Sequence, residues 1–135
     1  MIYLDTSAIV KLIHRETESR ALVQWLDARS DNRVVTSVLA EVELLRALRR
    51  TNARLLRRVA PVLAQIDRFE IDEAVRAAAG AYPDQHLRSL DAIHLATADQ
   101  LVASGKTLDA FVTYDKRLGR LAGDAGMPLA APGLR

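Results

Sequence analysis

Short apolar runs alternate along the chain with longer stretches in which apolar residues recur at helical spacing. The first run, Ile2–Leu4, predicts a strand, and similar runs at 34–36, 69–71, 110–113 and 127–130 predict four more. Helical stretches separate these strands, and such alternation favours a parallel sheet covered by helices on both faces. We therefore predict an α/β fold of three layers, α/β/α, with a central parallel sheet of four to five strands.

Helices are predicted over 8–13, 17–28, 38–50 and 54–66, after Asp72, from Ser89 to about Val102, and after Asp115. Pro61 is expected to kink or divide its helix, and the helix after Asp72 is expected to stop before Gly80. The helix over 38–50 shows the apolar periodicity Val38, Val42, Leu45 and Leu48. No linker, repeat or low-complexity tract interrupts the pattern, so residues 1–135 are predicted to form one domain.

The composition is that of a folded protein, with 50% hydrophobic and 27% charged residues. The chain has no cysteine, which excludes disulfides and thiolate metal sites, so any metal must be held by oxygen or imidazole. The N-terminus lacks the basic-then-apolar pattern of a leader, and no apolar run is long enough to span a membrane. These features predict a cytoplasmic protein with no membrane contact.

The formal net charge is only +2, but the positive charge is uneven. No acid occurs from Leu44 to Ile66, a stretch that contains Arg46, Arg49, Arg50, Arg54, Arg57 and Arg58. Such a cluster is either a solvated helix face or a surface that binds an anionic partner such as nucleic acid. The sequence leaves these two interpretations open.

Two acids lie just after predicted strands. Asp5 follows Ile2–Leu4, and Asp115 follows the strand over 110–113. Each could simply cap the next helix. In a parallel sheet, however, the carboxyl ends of the strands form the edge at which ligands bind. Asp5 and Asp115 are therefore candidates for a functional site.

Two further acids are predicted near the same edge. Glu41 lies one turn into the helix after the second strand, and Asp91 lies in the first turn of an almost wholly apolar helix. Taken singly, each could merely complement a helix dipole. Four converging carboxylates, however, would raise one another's pKa unless a cation neutralised them. Oxygen ligands suit Mg²⁺ or Mn²⁺, which bind phosphate oxygens as well, so phosphodiester chemistry is predicted.

Four short motifs carry a resemblance to a known family. They are Tyr-Leu-Asp-Thr-Ser near the start, Ala-Glu-Val-Glu-Leu in the third helix, Leu-Asp-Ala-Ile-His-Leu-Ala-Thr-Ala, and Val-Thr-Tyr-Asp-Lys-Arg-Leu. In this order they resemble the PIN-domain family, and within it the VapC-type toxins. The resemblance extends from Met1 to about Leu129.

The resemblance implies a PIN-like fold and a Mg²⁺- or Mn²⁺-dependent endoribonuclease. Its catalytic and metal-binding acids would correspond to Asp5, Glu41, Asp91 and Asp115, with Thr6 and Thr113 as nearby hydroxyls. The resemblance also implies a homodimer and a cognate VapB-type antitoxin that inserts a segment into the acidic groove.

Asp99 and Asp109 compete for the place of the fourth acid, but Asp115 matches the motif by position. Glu43 is expected to be solvated or to lie behind the site, and His94 to be a packing residue that satisfies one hydrogen bond. Lys11, Lys116 and Arg117 flank the predicted acidic edge, where they are either phosphate contacts or ordinary surface charges.

Three alternative functions stay open. A receiver-like signalling domain places acids, a Thr and a Lys at strand ends, but it needs an acidic pair near the first strand, where Asp5 stands alone. An Asp-x-Asp phosphatase needs an aspartate at position 7, which is Ser7. A catalytically silent binding module would use the fold only to hold a partner, and an activity test distinguishes it.

Overall fold

The computed structural model describes residues 1–134 as a parallel sheet between two layers of helices. The strands are β1 (Ile2–Leu4), β2 (Val34–Ser37), β3 (Asp67–Phe69), β4 (Ala110–Val112) and β5 (Leu129–Ala130). The helices are α1 (Thr6–Ile13), α2 (Ser19–Asp27), α3 (Leu39–Thr51), α4 (Val59–Leu63), α5 (Glu73–Ala81), α6 (Ser89–Ala103) and α7 (Lys116–Asp124). A short 3₁₀ helix, Ala53–Arg58, joins α3 to α4.

The sheet has the order β3-β2-β1-β4-β5, and every neighbouring pair is parallel. β1 therefore lies at the centre, with Leu4 paired to Val112 of β4 and Tyr3 paired to Val35 of β2. Because all strands run the same way, their carboxyl ends meet at one edge of the sheet. The predicted three-layer α/β/α fold is confirmed.

Side chains alternate between the two faces of β1, as the strand pleat requires. Ile2 and Leu4 pack with helices α1 to α4 on one face. Tyr3 packs on the opposite face, where its ring stacks on Phe111 beneath α6 and α7. Each face thus has its own hydrophobic core, and the sheet is buried from both sides.

The predicted elements need four main corrections. β3 lies two residues before the run predicted at 69–71, and α5 continues through Gly80 to Ala81. The helical stretch around Pro61 divides before that proline, at Arg58, and Pro61 sits in the first turn of α4, where a missing N–H is tolerated. In α3 the buried residues are Ala40, Leu44 and Leu48, whereas Val42 and Leu45 are exposed.

Within residues 1–134, no helix is long and apolar enough to cross a membrane.

Candidate active site

Three of the four predicted site acids come together at the carboxyl edge of the sheet. Asp5 follows β1, Asp115 caps α7 just after β4, and Asp91 lies in the first turn of α6. Burial raises the pKa of Asp91, and the negative charges of Asp115, Asp5 and Glu43 raise it further, while His94 offsets part of the effect. Asp91 is thus within electrostatic reach of three other carboxylates.

Asp5 is the most deeply buried of these acids, with 3% of its surface exposed. Its Oδ1 accepts hydrogen bonds from Ser7 Oγ at 2.6 Å and from the Ala8 backbone N–H at 3.0 Å. Its Oδ2 accepts one from Thr113 Oγ1 at 2.5 Å. Burial nevertheless raises the pKa of Asp5, since these donors and His94 offset only part of the desolvation. A carboxylate oxygen has about two acceptor positions, so one position on Oδ2 is left for a cation.

The Ala8 contact also makes Asp5 the N-cap of α1. In the same way, Asp115 Oδ1 accepts the Leu118 backbone N–H at 2.9 Å and caps α7. Asp5 and Asp115 therefore each cap a helix and also lie in the acidic cluster. The cap fixes Oδ1 of each residue, which leaves Oδ2 of Asp115 and one acceptor position on Oδ2 of Asp5 for a ligand.

The structure does not bring Glu41 to this cluster. Its side chain pairs with Arg68 of β3, 3.0 Å from Nη1 to Oε2, on the outer side of α3. The acid of α3 that reaches the cluster is Glu43. Positions 41 and 43 are about 200° apart around a helix of 3.6 residues per turn, so the two side chains leave α3 in nearly opposite directions.

Glu43 Oε1 accepts two hydrogen bonds, from Thr6 Oγ1 at 2.6 Å and from His94 Nε2 at 2.7 Å. Both bonds end on Oε1, so Oε2 is the free oxygen of Glu43. Burial would raise the pKa of Glu43, but the hydrogen bond and charge of His94 and the hydroxyl of Thr6 lower it overall. Glu43 is thus held as an ionised carboxylate.

His94 does more than the predicted packing role. It is 2% exposed, and both ring nitrogens are engaged, Nε2 with Glu43 and Nδ1 with the hydroxyl of Tyr3 at 2.7 Å. Burial raises the pKa of Tyr3 well above its usual range, so its hydroxyl stays protonated. A buried chain of hydrogen bonds therefore runs from Tyr3 in the central strand through His94 to Glu43.

The other candidate acids lie elsewhere. Asp109 pairs with the N-terminal amine of Met1 at 2.7 Å, before β4 and hence at the opposite edge of the sheet. Asp99, two turns along α6 from Asp91, accepts a hydrogen bond from the hydroxyl of Tyr82. Lys11 is also occupied, since its Nζ lies 2.8 Å from Glu18 and above the ring of Tyr114.

The donor set at this edge fits a hard divalent cation. It consists of carboxylate oxygens whose negative charges disfavour one another, and a cation would relieve that repulsion. Within residues 1–134, no three acidic or histidine side chains lie close enough to hold a metal by themselves. Mg²⁺ characteristically keeps several waters and takes one or two carboxylates, so the arrangement suits such an ion.

A cavity of about 630 Å³ lies at the other edge of the sheet, beside Val34 at the start of β2 and Asp67 at the start of β3. It contains none of the clustered acids. A smaller cavity of about 330 Å³ opens directly on Asp91 and Asp115.

Comparison with known proteins places this geometry in context. The family model described as PIN domain matches residues 2–124. "Ribonuclease VapC35" of Mycobacterium tuberculosis is 55% identical over 133 residues, which cover 98% of each chain. "Ribonuclease VapC46" of the same species is 43% identical over 131 residues, 97% of each chain.

Two solved structures share the fold. One is the crystal structure of VapBC2 from Rickettsia felis bound to a DNA fragment from their promoter, with a TM-score of 0.69 and 14% identity over 98% of this chain and 99% of that chain. The other is FitAcB from Neisseria gonorrhoeae, with a TM-score of 0.69 and 22% identity over 98% of each chain.

Proposed function

The chain belongs to the PIN domain family, and we propose that it is a metal-dependent endoribonuclease that serves as the toxin of a VapBC-type toxin–antitoxin pair. The relatives named ribonuclease match it over nearly its whole length, and solved toxin–antitoxin complexes share its fold. Family membership removes the receiver-like and phosphatase alternatives. The silent binding module becomes an outcome of the activity test below.

The observation that carries the proposal is the convergence of Asp5, Glu43, Asp91 and Asp115 at one edge of the sheet. We propose these four as the catalytic and metal-binding acids, with Glu43 in the place expected for Glu41. Glu43 and Asp115 each bind the protein through one carboxylate oxygen and leave the other available, whereas Asp5 keeps one acceptor position on Oδ2 beside its bond from Thr113.

PIN-domain ribonucleases are in general dependent on a divalent metal, and we propose Mg²⁺ or Mn²⁺ here because every donor in the cluster is oxygen. When bound, such an ion polarises the phosphoryl oxygens and lowers the pKa of an attacking water. Asp5 and Asp91 would hold it, since burial has raised the pKa of both carboxylates and a cation would stabilise their ionised forms.

Glu43 is suited to a second task besides metal binding. His94 and Thr6 keep it ionised and fix its orientation, so its free Oε2 can accept a proton from water at the phosphate. Thr6 and Thr113 act through the carboxylates to which they donate. The chain's own residues thus supply an oriented set of acids, of which Glu43 is held ionised.

The assembly belongs to the same proposal. By analogy with its family, the toxin would form a homodimer and bind a VapB-type antitoxin that covers the acidic edge. RNA as substrate implies action in the cytoplasm.

The test is cleavage of total RNA by the purified protein in Mg²⁺ or Mn²⁺, compared with the same reaction in chelator. Asp5→Asn is the matched variant, because it keeps the size of the side chain and removes the charge. Loss of cleavage in chelator and in the variant supports the proposal. Metal binding without cleavage of any RNA, structured RNAs included, would instead favour the silent binding module.

A further inference from the structure

A group of cations lines the cavity that opens on Asp91 and Asp115. The cavity of about 330 Å³ has walls formed by these two acids and by Arg88, Lys116 and Arg117. Its volume lies at the lower end of the range for small-ligand sites. Three cations thus stand immediately beside the acidic cluster.

These cations have no acidic partner within the described part of the protein. Within residues 1–134, none of them forms an ion pair with an acid, although Asp91 and Asp115 line the same cavity. Three other Lys and Arg side chains of residues 1–134 are paired, among them Arg33, which lies 2.8 Å from Asp67, and Lys11, which lies 2.8 Å from Glu18. The cavity therefore contains positive charge that is exposed and available to a ligand.

Their positions along the helices are also unfavourable without a ligand. Arg88 directly precedes α6, and Lys116 and Arg117 are the first two residues of α7. The N-terminus of a helix carries partial positive charge, so cations there are repelled. An anion in the cavity would offset this repulsion at all three residues at once.

We propose that Arg88, Lys116 and Arg117 bind backbone phosphates of the RNA strand next to the phosphate that is cut. This inference rests on the proposed ribonuclease function. A second cavity, of about 310 Å³, shares Arg117 and adds Arg120, but the acids Asp84 and Asp124 also line it, so the phosphate contacts are assigned to the first cavity.

The same geometry places the later part of the arginine-rich stretch, from Arg50 to Arg58, away from this cavity. α3 starts at Leu39 beside the carboxyl end of β2 and must carry the chain back toward the start of β3. At 1.5 Å per residue, Arg50 lies about 17 Å along the helix from Leu39. Farther on, Arg58 donates to the carbonyl of Ile13, the last residue of α1, at 3.3 Å.

The experiment measures binding of a short fluorescent single-stranded RNA by anisotropy, in chelator, between about 50 and 200 mM salt. The variant replaces Arg88, Lys116 and Arg117 together by Gln. The matched control replaces Arg50, Arg54 and Arg57 by Gln, which removes the same charge from exposed positions away from the cavity. Circular dichroism checks that all three proteins are folded.

We expect the cavity variant to bind RNA at least about tenfold more weakly at low salt. Its slope of log affinity against log salt should be shallower by about 2, since each single-strand phosphate contact contributes about 0.7. The control should keep the wild-type slope. In Mg²⁺ or Mn²⁺, the cavity variant should cleave with a raised KM and a kcat close to that of the wild type.

The assignment of these three cations to phosphate binding is overturned if the cavity variant keeps the wild-type affinity and slope, or if both variants lose affinity equally. Cleavage by the wild type would still support the ribonuclease proposal in either case. A wild-type protein that neither binds nor cleaves RNA would overturn the ribonuclease proposal itself, and this inference with it.

Discussion

His94 Nε2 lies 2.7 Å from Glu43 Oε1, and this contact joins the only buried histidine of the described chain to the acidic cluster. An ionised carboxylate only accepts hydrogen bonds, so Nε2 is the donor. Its other ring nitrogen, Nδ1, lies 2.7 Å from the Tyr3 hydroxyl. The orientation of the His94 ring is thereby fixed from both sides, and with it the direction of Glu43.

Glu43, and not Glu41, should be the α3 acid that catalysis requires. Glu43→Gln removes the charge beside Asp91 and should lower the rate of RNA cleavage by about 10² or more, the usual contribution of a general base. Glu41→Gln breaks only a surface pair with Arg68 and should change the rate less than about twofold. The two variants make the same chemical change on one helix. Equal losses, or a loss in Glu41→Gln alone, would contradict the assignment.

His94 should act on the metal through Glu43. Residues behind metal-site carboxylates typically change metal affinity by about 10- to 100-fold when replaced, so His94→Gln should weaken Mn²⁺ binding by a factor in that range. Titration of Mn²⁺ followed by electron paramagnetic resonance measures this without any RNA.

Tyr3→Phe is the milder companion variant. It removes only the hydroxyl that fixes Nδ1 and should weaken Mn²⁺ binding less than His94→Gln does. If the hydrogen bonds from Tyr3 through His94 to Glu43 serve only the stability of the fold, both variants should have a lower melting temperature. Their Mn²⁺ affinity should then equal that of the wild type.

Sequence patterns predict this site only in part, and α3 shows why. Asp5 and Asp115 were predictable because parallel strands bring their carboxyl ends to one edge. Glu41 and Glu43 flank the buried residues of α3 on opposite sides, toward β3 and toward β1 respectively. The side of α3 that faces the centre of the sheet is determined by the strand order β3-β2-β1-β4-β5. Local periodicity in the sequence does not encode that order.

The role of His94 was missed for a related reason. Its partners Tyr3 and Glu43 are 91 and 51 positions away in sequence, so no local motif joins them. One signal was available nonetheless. A tyrosine in a central strand and a histidine in an apolar helix both need hydrogen-bond partners when buried, and each can satisfy the other.

Thr113 should matter for stability through its hydroxyl. Thr113→Val keeps the shape of the side chain but removes the 2.5 Å donor to buried Asp5 and the acceptor for the Asp115 backbone N–H. We expect a loss of about 1 to 3 kcal/mol in the free energy of unfolding, measured in urea at neutral pH. Thr113→Ser retains the hydroxyl and is the control. If the serine variant is the less stable of the two, packing of the methyl group outweighs the hydrogen bond.

Asp91 should lower the stability of the metal-free protein. Burial and then the charge of Asp115 raise its pKa, so between 3.8 and that raised value the folded state binds more protons than the unfolded state. The free energy of unfolding must then fall as the pH rises through this window. Asp91→Asn removes this contribution. Because the side chain is partly exposed, water screens these charges, and we expect a gain near pH 7 of at most about 1 kcal/mol, or about 2 to 5 °C in Tm.

Thermal unfolding from pH 4 to 8, in chelator and in Mg²⁺, measures this effect. The advantage of Asp91→Asn should shrink toward pH 4, where Asp91 of the wild type becomes protonated. Mg²⁺ should reverse the order near pH 7, since a cation bound only by the folded state stabilises the wild type, and the variant lacks one of its ligands. If Asp91→Asn is less stable than the wild type in chelator at pH 7, Asp91 stabilises the fold. Repulsion between the carboxylates would then not be the reason for a cation at this edge.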